Sequence, residues 1–298
     1  MISRRQFSVA AAGALAASRL FAKPVKPDSV IDGVQIGAQS YSFRARPLDA
    51  AIAAKDQIGL SECELWDGHI EPKLRGADMM HWRETAPVET FQQVRRKFDD
   101  AGIQIYALNY SFRKNWTDRA IEHGFEIARA LGTDKITAST TLPVVDRIDK
   151  YAKQYKVYVG MHGHSNMKPG EFASPDSFAE AMNGRSKYIC VNLDIGHFTA
   201  AGFDAVDYIQ QHHDRIITLH IKDRKKNQGE NMPLGQGDTP IKPVLQLLKK
   251  TQWKIPANIE YEYKGGDTVE EVTKCYAYCR EALLGAPANQ DTPLVGVK

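Results

Sequence analysis

In residues 191–200, "VNLDIGHFTA", an apolar run ends abruptly at Asp194, and His197 follows three positions later. The run starts upstream in "YICVNL", whose β-branched and aromatic residues predict a buried strand. A carboxylate after such a strand either caps a following helix, here one starting near Thr199, or faces a functional cavity. The stretch therefore predicts a strand, a polar strand end and then a helix.

The same unit of strand and helix recurs along the chain. Strands are predicted by the runs "VQIGAQSYSF", "ECELW", "IQIYALNY", "KITAST", "KVYVGM", "YICVNL", "IITLHI" and "ANIEYEY". Helices are predicted, from apolar spacings of three and four, at 50–58, 88–101, 120–131, 144–155, 177–182, 205–212, 241–249 and 269–284. Strict alternation of eight strands with eight helices predicts an α/β protein with a single-domain (β/α)8 TIM barrel. A doubly wound open sheet is the alternative, but no glycine-rich first turn supports it.

The first 22 residues resemble an export signal. Arg4 and Arg5 precede an alanine-rich apolar stretch, and paired arginines favour the twin-arginine route. The stretch is shorter than the roughly 20 apolar residues of a permanent membrane anchor. We therefore expect a signal at 1–22, a barrel at 23–283, a tail at 284–298 and a periplasmic or otherwise exported protein.

The composition is that of a globular protein of enzyme size. The net charge is only +3, and no long Lys/Arg tract is present apart from "KDRKK" at 222–226, so a dedicated nucleic-acid surface is not expected. Four cysteines form neither a zinc-ribbon nor a disulfide pattern and are predicted to be packed thiols. The oligomeric state, including a homo-oligomer, stays open.

Metal-ligand residue types end the last four predicted strands. Catalytic groups of this fold lie at the carboxyl ends of the strands. The candidates there are His162, His164, Asp194, His197, His220 and Glu260. Imidazole and carboxylate together suit one divalent ion, such as manganese, zinc, iron, cobalt or magnesium. Glu262 lies on the same face as Glu260, so either carboxylate could point inward.

The chain resembles the sugar phosphate isomerase/epimerase superfamily, the xylose-isomerase-like barrels. The resemblance rests on "IGAQSYSFR", "ECELWDGH", "MHGHSN", "LDIGHF", "LHIKD", "PLGQGDTPI" and "NIEYEY". It implies metal ligands at His162, Asp194, His220 and Glu260, where the family usually has Glu, Asp, His and Glu. Histidine at position 162 departs from the pair of glutamates that family epimerases use as acid and base. The His-x-His stretch is similar to the inosose dehydratase branch and to lyases and hydratases of 3-keto-glycosides.

The resemblance implies proton abstraction next to a sugar carbonyl. A divalent ion would polarise the carbonyl and stabilise an enediolate, and a nearby base would move the proton. The candidate bases are His164, His197 and Glu260. Lys222 could neutralise the oxyanion, or it could pair with Asp223 as a salt-linked strand end. Because of the expected export, we predict a small unphosphorylated carbohydrate as substrate, with isomerisation, epimerisation and elimination left open.

Further residues are candidates for substrate contact, although packing is the commoner role of such side chains. They are Tyr41, Phe43, Glu64, Trp66, Tyr110 and Trp116. The segment 235–238, "GQGD", is predicted to form a tight turn rather than a phosphate cradle, because two glycines are weak evidence for phosphate binding.

Two other functional classes compete with this prediction. An endonuclease IV-like phosphodiesterase needs extra histidines after strands two and three and an Asp-x-His after strand seven. His69 is a loose candidate, but "YALNYSF" has no histidine and "DRKKNQGEN" has no Asp-x-His. A non-catalytic sugar-binding barrel is the third class, and metal analysis with activity assays would distinguish it.

Overall fold

A computed structural model describes residues 26–285. Eight parallel strands form a closed barrel in which each strand pairs with its neighbours in the chain and the eighth pairs with the first. These strands, β1 to β8, are Val34–Gln39, Glu62–Trp66, Gln104–Asn109, Lys135–Ala138, Tyr158–His162, Ile189–Asp194, Ile216–Ile221 and Ala257–Ile259. The predicted TIM barrel is therefore confirmed. The export signal predicted at 1–22 and residues 286–298 of the predicted tail lie outside the described residues.

The helices follow the strands around the outside of the barrel. Helices α1 to α10 are Leu48–Ile58, Gly76–Thr85, Val88–Ala101, Asp118–Ala130, Val145–Tyr155, Pro175–Met182, Ile195–Ala200, Ala205–His212, Ile241–Thr251 and Thr268–Leu284. All eight predicted helices are present, and α2 and α7 are additional. Helix α2 buries only Met79 and so lacks an apolar stripe, and α7 is too short for periodicity to reveal it. None of the helices within residues 26–285 has the length and apolar character of a membrane span.

Asp194 both ends strand β6 and caps helix α7. Its side chain accepts a hydrogen bond from the backbone N–H of His197 at 2.7 Å, which satisfies a free donor of the first turn. The cap predicted at this position is present, but the helix begins at Ile195 rather than near Thr199. Because the helix starts directly at the strand end, both Asp194 and His197 are held at the same rim.

The apolar core lies between the strands and the surrounding helices, and it includes all four cysteines as unpaired buried thiols. The interior of the barrel is instead partly polar. Asn258 donates to the Thr218 hydroxyl at 2.9 Å, and Glu62 lies beside Asn258. A Cβ at Gly37 would lie 1.8 Å from a carboxylate oxygen of Glu62 and 2.5 Å from Asn258 Oδ1, so glycine leaves the space for this pair.

Glu62 is fully buried, and its two carboxyl oxygens have no hydrogen-bond partner within the described residues. Burial raises the pKa of this carboxyl to about 8, although the nearby Lys55 opposes the shift. At neutral pH the group is therefore largely protonated. Asn258 Oδ1 also lacks a partner within the described residues, and an amide oxygen can accept a hydrogen bond from the protonated carboxyl.

Glu62→Gln should change how stability depends on pH. The pKa of Glu62 rises on folding from 4.5 to about 8, so the folded state holds the proton more tightly. The contribution of Glu62 to the free energy of unfolding is fully present below pH 4.5. It is lost as the pH rises towards 8, by at most about 1.4 kcal/mol per pH unit. Glutamine cannot ionise, so the free energy of unfolding of the variant, relative to that of the wild type, should rise over this pH range. Above pH 8 the difference should stay constant.

Urea denaturation between pH 5 and 9 measures the difference in the free energy of unfolding. Glu89→Gln, at an exposed position of α3, is the control and should run parallel to the wild type. A Glu62→Gln profile that is also parallel would contradict the protonated state of Glu62.

Candidate metal centre and cavity

Four side chains from consecutive strands converge at the carboxyl ends of β5 to β8. His162, Asp194 and His220 lie in β5, β6 and β7, and Glu260 follows β8 directly. Each offers one donor atom, and these atoms all lie within 4.8 Å of one another, with all four residues buried. Register explains part of this, because Asp194 pairs with His220 across β6 and β7. The family resemblance implied these four residues as the ligand set, and the structure brings them together.

Asp194 provides the test of whether a cation fits here. Its Oδ2 is buried and has no properly oriented hydrogen bond within the described residues, although Lys222 Nζ lies 3.1 Å away. His220 Nδ1 lies 3.9 Å from the same oxygen. A buried ionised oxygen without such a bond is costly, so a metal ion would satisfy it. Two imidazoles and two carboxylates form a donor set that suits a divalent transition metal.

The two histidines are oriented by a second layer of side chains. His162 Nδ1 lies 2.6 Å from Asn192 Oδ1, so this nitrogen donates and Nε2 keeps its lone pair. His220 Nε2 lies 2.9 Å from Glu64 Oε2, and its Nδ1 faces Glu260 Oε2 at 3.1 Å. Such outer partners fix which nitrogen of a histidine can bind a metal. Glu64 therefore orients His220.

The buried charges shift the pKa values of the centre. Burial by itself would lower the pKa of His220, but the carboxylates of Glu64 and Glu260 outweigh it and raise that pKa well above its usual range. Burial would likewise raise the pKa of Glu260, yet Lys222 and His220 hold it well below the ordinary value. His197 and Lys222 overcome burial in the same way and lower the pKa of Asp194. Both proposed carboxylate ligands are therefore ionised at neutral pH.

Lys222 is the cation that neutralises these carboxylates in the described structure. Its Nζ lies 2.7 Å from Glu260 Oε2 and 2.6 Å from Glu262 Oε2, and the side chain is almost fully buried. The alternative pairing with Asp223 is not present. Asp223 instead accepts the backbone N–H groups of Gly235, Gly237 and Thr239 at 2.8–3.1 Å. Segment 235–238 is accordingly a tight turn around this carboxylate, as predicted, and its amides are not free for phosphate.

The two remaining predicted histidines differ in their freedom. His197 Nδ1 accepts from Arg224 at 2.7 Å, and its Nε2 lies 3.1 Å from Lys222 Nζ. His164 makes no side-chain hydrogen bond within the described residues, although its ring lies 4.7 Å from that of His162. Burial and the neighbouring His162 lower the pKa of His164 to about 4. The His164 ring is therefore neutral at pH 7 and has an unoccupied lone pair.

A cavity of about 530 Å³ opens above the four converging side chains. His162, His164, His197, His220, Lys222 and Glu260 line it, together with Tyr41 and Trp66. The cavity also has polar lining residues that the sequence analysis did not single out for substrate. These are Gln39, Asn109, Ser111, Arg113, Ser139 and Glu262. Most of them end or follow strands β1, β3 and β4, so the strand-end rule applied to β5–β8 could have found them.

Four side chains predicted to contact substrate are not brought to the cavity. Phe43 is completely buried under Lys55, and Tyr110 packs edge-on against Trp116. Trp116 lies against the guanidinium of Arg83 at 4.1 Å. Glu64 is buried and accepts from Thr137 at 2.6 Å as well as facing His220. Packing accounts for the three aromatic residues, and Glu64 lies beneath the centre rather than in it.

His69 does not extend the centre into a larger cluster. Its ring nitrogens lie 2.9 Å from Ser40 Oγ and 3.2 Å from the Arg46 carbonyl oxygen. Within residues 26–285, the four-residue group at the rim is the one set of side chains close enough to hold a metal. The additional ligands that an endonuclease IV-like cluster requires are therefore not assembled in this part of the chain.

Comparison with known proteins establishes the family. The model of the family described as "xylose isomerase-like TIM barrel" matches residues 57–279. The chain belongs to the xylose isomerase-like TIM barrel family. A curated relative, the uncharacterized protein MJ1311 of Methanocaldococcus jannaschii, is 27% identical over 119 residues, which cover 39% of this chain and 41% of that relative. The match thus spans less than half of the relative's length.

Two solved structures share the fold of this xylose isomerase-like barrel. The probable 3-DHS dehydratase AsbF of Bacillus anthracis is 17% identical, with a TM-score of 0.59 over 82% of this chain and 97% of that one. The IOLI protein, solved with a bound zinc atom, is 13% identical, with a TM-score of 0.64 over 84% of this chain and 99% of that one. At these identities the likeness concerns the fold.

Lys222→Met should destabilise the metal-free xylose isomerase-like barrel. Without this lysine, Asp194 and Glu260 would stay buried without their counter-ion, and removing one partner of a buried pair costs about 3–5 kcal/mol. Urea denaturation in the presence of EDTA measures the loss. Lys97→Met removes a surface pair with Asp49 and should cost less than about 1 kcal/mol. Equal losses in the two variants would show that Lys222 is not the essential counter-ion.

Proposed function

We propose that the protein is a divalent-metal-dependent sugar isomerase/epimerase-like enzyme that removes a proton next to a sugar carbonyl. One observation carries the proposal: four metal-ligand side chains meet within 4.8 Å at the floor of a cavity that also contains the unbonded imidazole of His164. Membership of the xylose isomerase-like family supports this class of reaction. An unphosphorylated substrate follows from the proposed export through residues 1–22, because phosphorylated sugars are mostly cytoplasmic.

His162, Asp194, His220 and Glu260 would hold the ion. When bound, a divalent ion supplies electrophilic polarisation of a substrate carbonyl and hydroxyl. Manganese, zinc, iron and cobalt suit the mixed imidazole and carboxylate set, and magnesium, which prefers oxygen ligands, suits it less. The zinc atom of the IOLI protein supports a metal in a barrel of this fold.

His164 is the best placed base. Glu260 is already engaged by His220 and Lys222 and is itself one of the proposed metal ligands, so its carboxylate is not free to act as a base. A guanidinium can only donate hydrogen bonds, so His197 Nδ1 accepts from Arg224 through its lone pair. The proton of the neutral His197 ring is then on Nε2. His164 has no such partner and stays neutral at pH 7. Geometry and charge therefore favour His164 over the other two candidates.

Lys222 and His197 are placed to donate hydrogen bonds to the substrate oxygen that becomes negatively charged. Lys222 Nζ lies in the cavity wall beside Glu260 and Glu262, so it can donate to a substrate oxygen on which negative charge develops. His197 Nε2–H lies between Lys222 and Asp194 and can donate in the same region. Return of the abstracted proton to a neighbouring carbon would give isomerisation, and its return to the opposite face would give epimerisation.

Elimination at the same centre is the second candidate function. Its supporting observation is His162, which stands where family epimerases have a glutamate and which is held by Asn192 as a ligand rather than as a base. One base on one face is sufficient to remove a proton and release a β-leaving group. A 3-keto-glycoside lyase or hydratase, or an inosose-dehydratase-like enzyme, would use the centre in this way. A dehydratase among the structural neighbours has the same fold.

Asp194→Ala and Glu260→Ala should each abolish binding of about one divalent ion per chain, because each removes an ionised ligand. Elemental analysis after dialysis and calorimetric titration with Zn²⁺ and Mn²⁺ measure the binding. Asp204→Ala is a matched control, because Asp204 also caps a helix, α8, but does so away from the centre. Full occupancy in both ligand variants would overturn the proposed metal site.

Isomerisation and elimination can be distinguished in deuterated water. The protein is incubated with free ketoses and with 3-keto-glycosides, and NMR follows deuterium incorporation and aglycone release. Exchange at one carbon with the aglycone retained supports isomerisation or epimerisation, and release of the aglycone supports elimination. A barrel that binds these sugars without either change would be a sugar-binding protein.

His164→Gln should slow the exchange or release about 100-fold or more while metal content stays unchanged, because general bases typically contribute at least that factor. His81→Gln, at an exposed position of α2, is the control. A His164→Gln variant with wild-type turnover would contradict the role of His164 as the base.

A further inference from the structure

The cavity has a second polar end, on the side of the barrel opposite β7 and β8. Asn109 ends β3, Ser111 and Arg113 follow it, and Ser139 follows β4; all four line the cavity. In the closed strand order, β3 is four strands away from β7 on either path around the barrel. A ligand held at the metal centre and extending across the cavity would therefore reach these residues. The function proposed above gives them no role.

Arg113 is a charged group without a counter-ion at this end. Its Nη1 donates to the Ser139 carbonyl oxygen at 3.2 Å, which anchors the guanidinium at the end of β4. No carboxylate oxygen within the described residues lies within 4.0 Å of Arg113 to form an ion pair. The other N–H groups of the guanidinium remain available, and the residue is exposed to the cavity.

The acidic groups nearby do not neutralise Arg113. Both carboxylate oxygens of Glu71 are bound by Arg83, at 2.8 and 2.9 Å. Asp67 is only partly ionised at neutral pH, since burial raises its pKa to about 7, with a further contribution from Glu71. Within the described residues, the positive charge of Arg113 therefore has no ion-pair partner where it meets the cavity.

A hydroxyl donor lies beside the guanidinium. Ser111 Oγ accepts the backbone N–H of Ser139 at 3.1 Å, so the hydroxyl hydrogen of Ser111 is free to donate. One planar guanidinium and a neutral donor match a carboxylate, which accepts two parallel hydrogen bonds from arginine. A phosphate dianion carries about twice the charge, and a single cation beside Asp67 and Glu71 matches it less well.

We propose that Arg113 and Ser111 bind a carboxylate of the substrate, so that the enzyme acts on an acidic carbohydrate whose carboxylate lies at the β3 and β4 side of the cavity, across from Lys222 and Glu260. The inference rests on the proposed function for the position of the sugar, but the carboxylate subsite itself is formed by this chain's own residues. A substrate anchored at both ends would present one carbon to His164, so Arg113 would determine specificity as well as affinity.

The test compares matched acidic and neutral sugars by calorimetric titration of the purified full chain. The pairs are D-glucuronate with D-glucose and D-galacturonate with D-galactose, and D-glucose 6-phosphate is the phosphate arm. The variant is Arg113→Gln. The control is Arg129→Gln, because Arg129 is also exposed and bonded to a backbone carbonyl oxygen but is not a lining residue of the cavity.

We expect at least one acid to bind about tenfold or more tightly than its neutral partner in the wild type and in Arg129→Gln, the factor of a charge-assisted hydrogen bond. In Arg113→Gln the preference should fall to about twofold or less while neutral-sugar affinity is unchanged. No preference in the wild type for either acid, or a preference that survives Arg113→Gln, would overturn the carboxylate subsite. If D-glucose 6-phosphate exceeds D-glucose in affinity by a larger factor than either acid exceeds its neutral partner, the carboxylate subsite would also be overturned. The subsite would then be assigned to phosphate.

These titrations do not depend on turnover, so the two proposals can fail separately. An Arg113-dependent preference in a protein that binds no metal and exchanges no proton would support the subsite and reject the enzyme. Metal binding and proton exchange on neutral sugars, without an Arg113-dependent preference, would support the enzyme and reject the subsite.

Discussion

The burial of two ionised carboxylates at the barrel rim is the constraint on which the rest of the centre depends. Asp194 and Glu260 lie in a region from which water is largely excluded, and neither can stay there without positive charge close by. Lys222 supplies one positive charge. In the metal-free state the His220 ring supplies another, because its raised pKa keeps it protonated. A divalent ion can take over the charge of His220, because the ring then binds through its neutral form. In the proposed metal site, metal binding would therefore be accompanied by proton release from His220.

This arrangement follows from the geometry of parallel strands. His220 and Lys222 are two residues apart, as are Glu260 and Glu262, and side chains at that spacing share a face of the barrel. The register that places Asp194 beside His220 also places Asn192 beside His162. Asn192 therefore supports His162 from the next strand, and Lys222, which follows β7, pairs with Asp194 and Glu260 at the ends of the strands to either side. Glu64 reaches His220 across the interior from β2, which closure of the sheet makes possible.

The sequence was sufficient to predict the parts of the centre that depend on strand ends. His162, Asp194, His220 and Glu260 each follow or end an apolar run, and one rule places all of them at one rim. The sequence was not sufficient for the layer below, since Glu64 lies in the middle of β2, one layer beneath the strand ends, and points towards His220 rather than into the cavity. Tyr110 and Trp116 were predicted to contact sugar because the sequence alone does not distinguish an aromatic side chain that packs inward from one that faces a cavity. Helix α2, which holds Arg83 against Trp116, has too little amphipathic pattern to be predicted.

The neutral ligand at position 162 bears most directly on which reaction the centre favours. Epimerases of the family place carboxylates on both sides of the substrate carbon, so one can remove a proton and the other can return it. Here Asn192 fixes His162 as a hydrogen-bonded imidazole, and Glu260 is held ionised by Lys222, so neither is free to exchange a proton. His164, the base proposed above, is then the one candidate base left. A single base can return a proton to an adjacent carbon or permit a leaving group to depart, but it cannot deliver a proton to the opposite face. Under the proposed function, this arrangement of charges would suit one-base isomerisation or elimination better than two-base epimerisation.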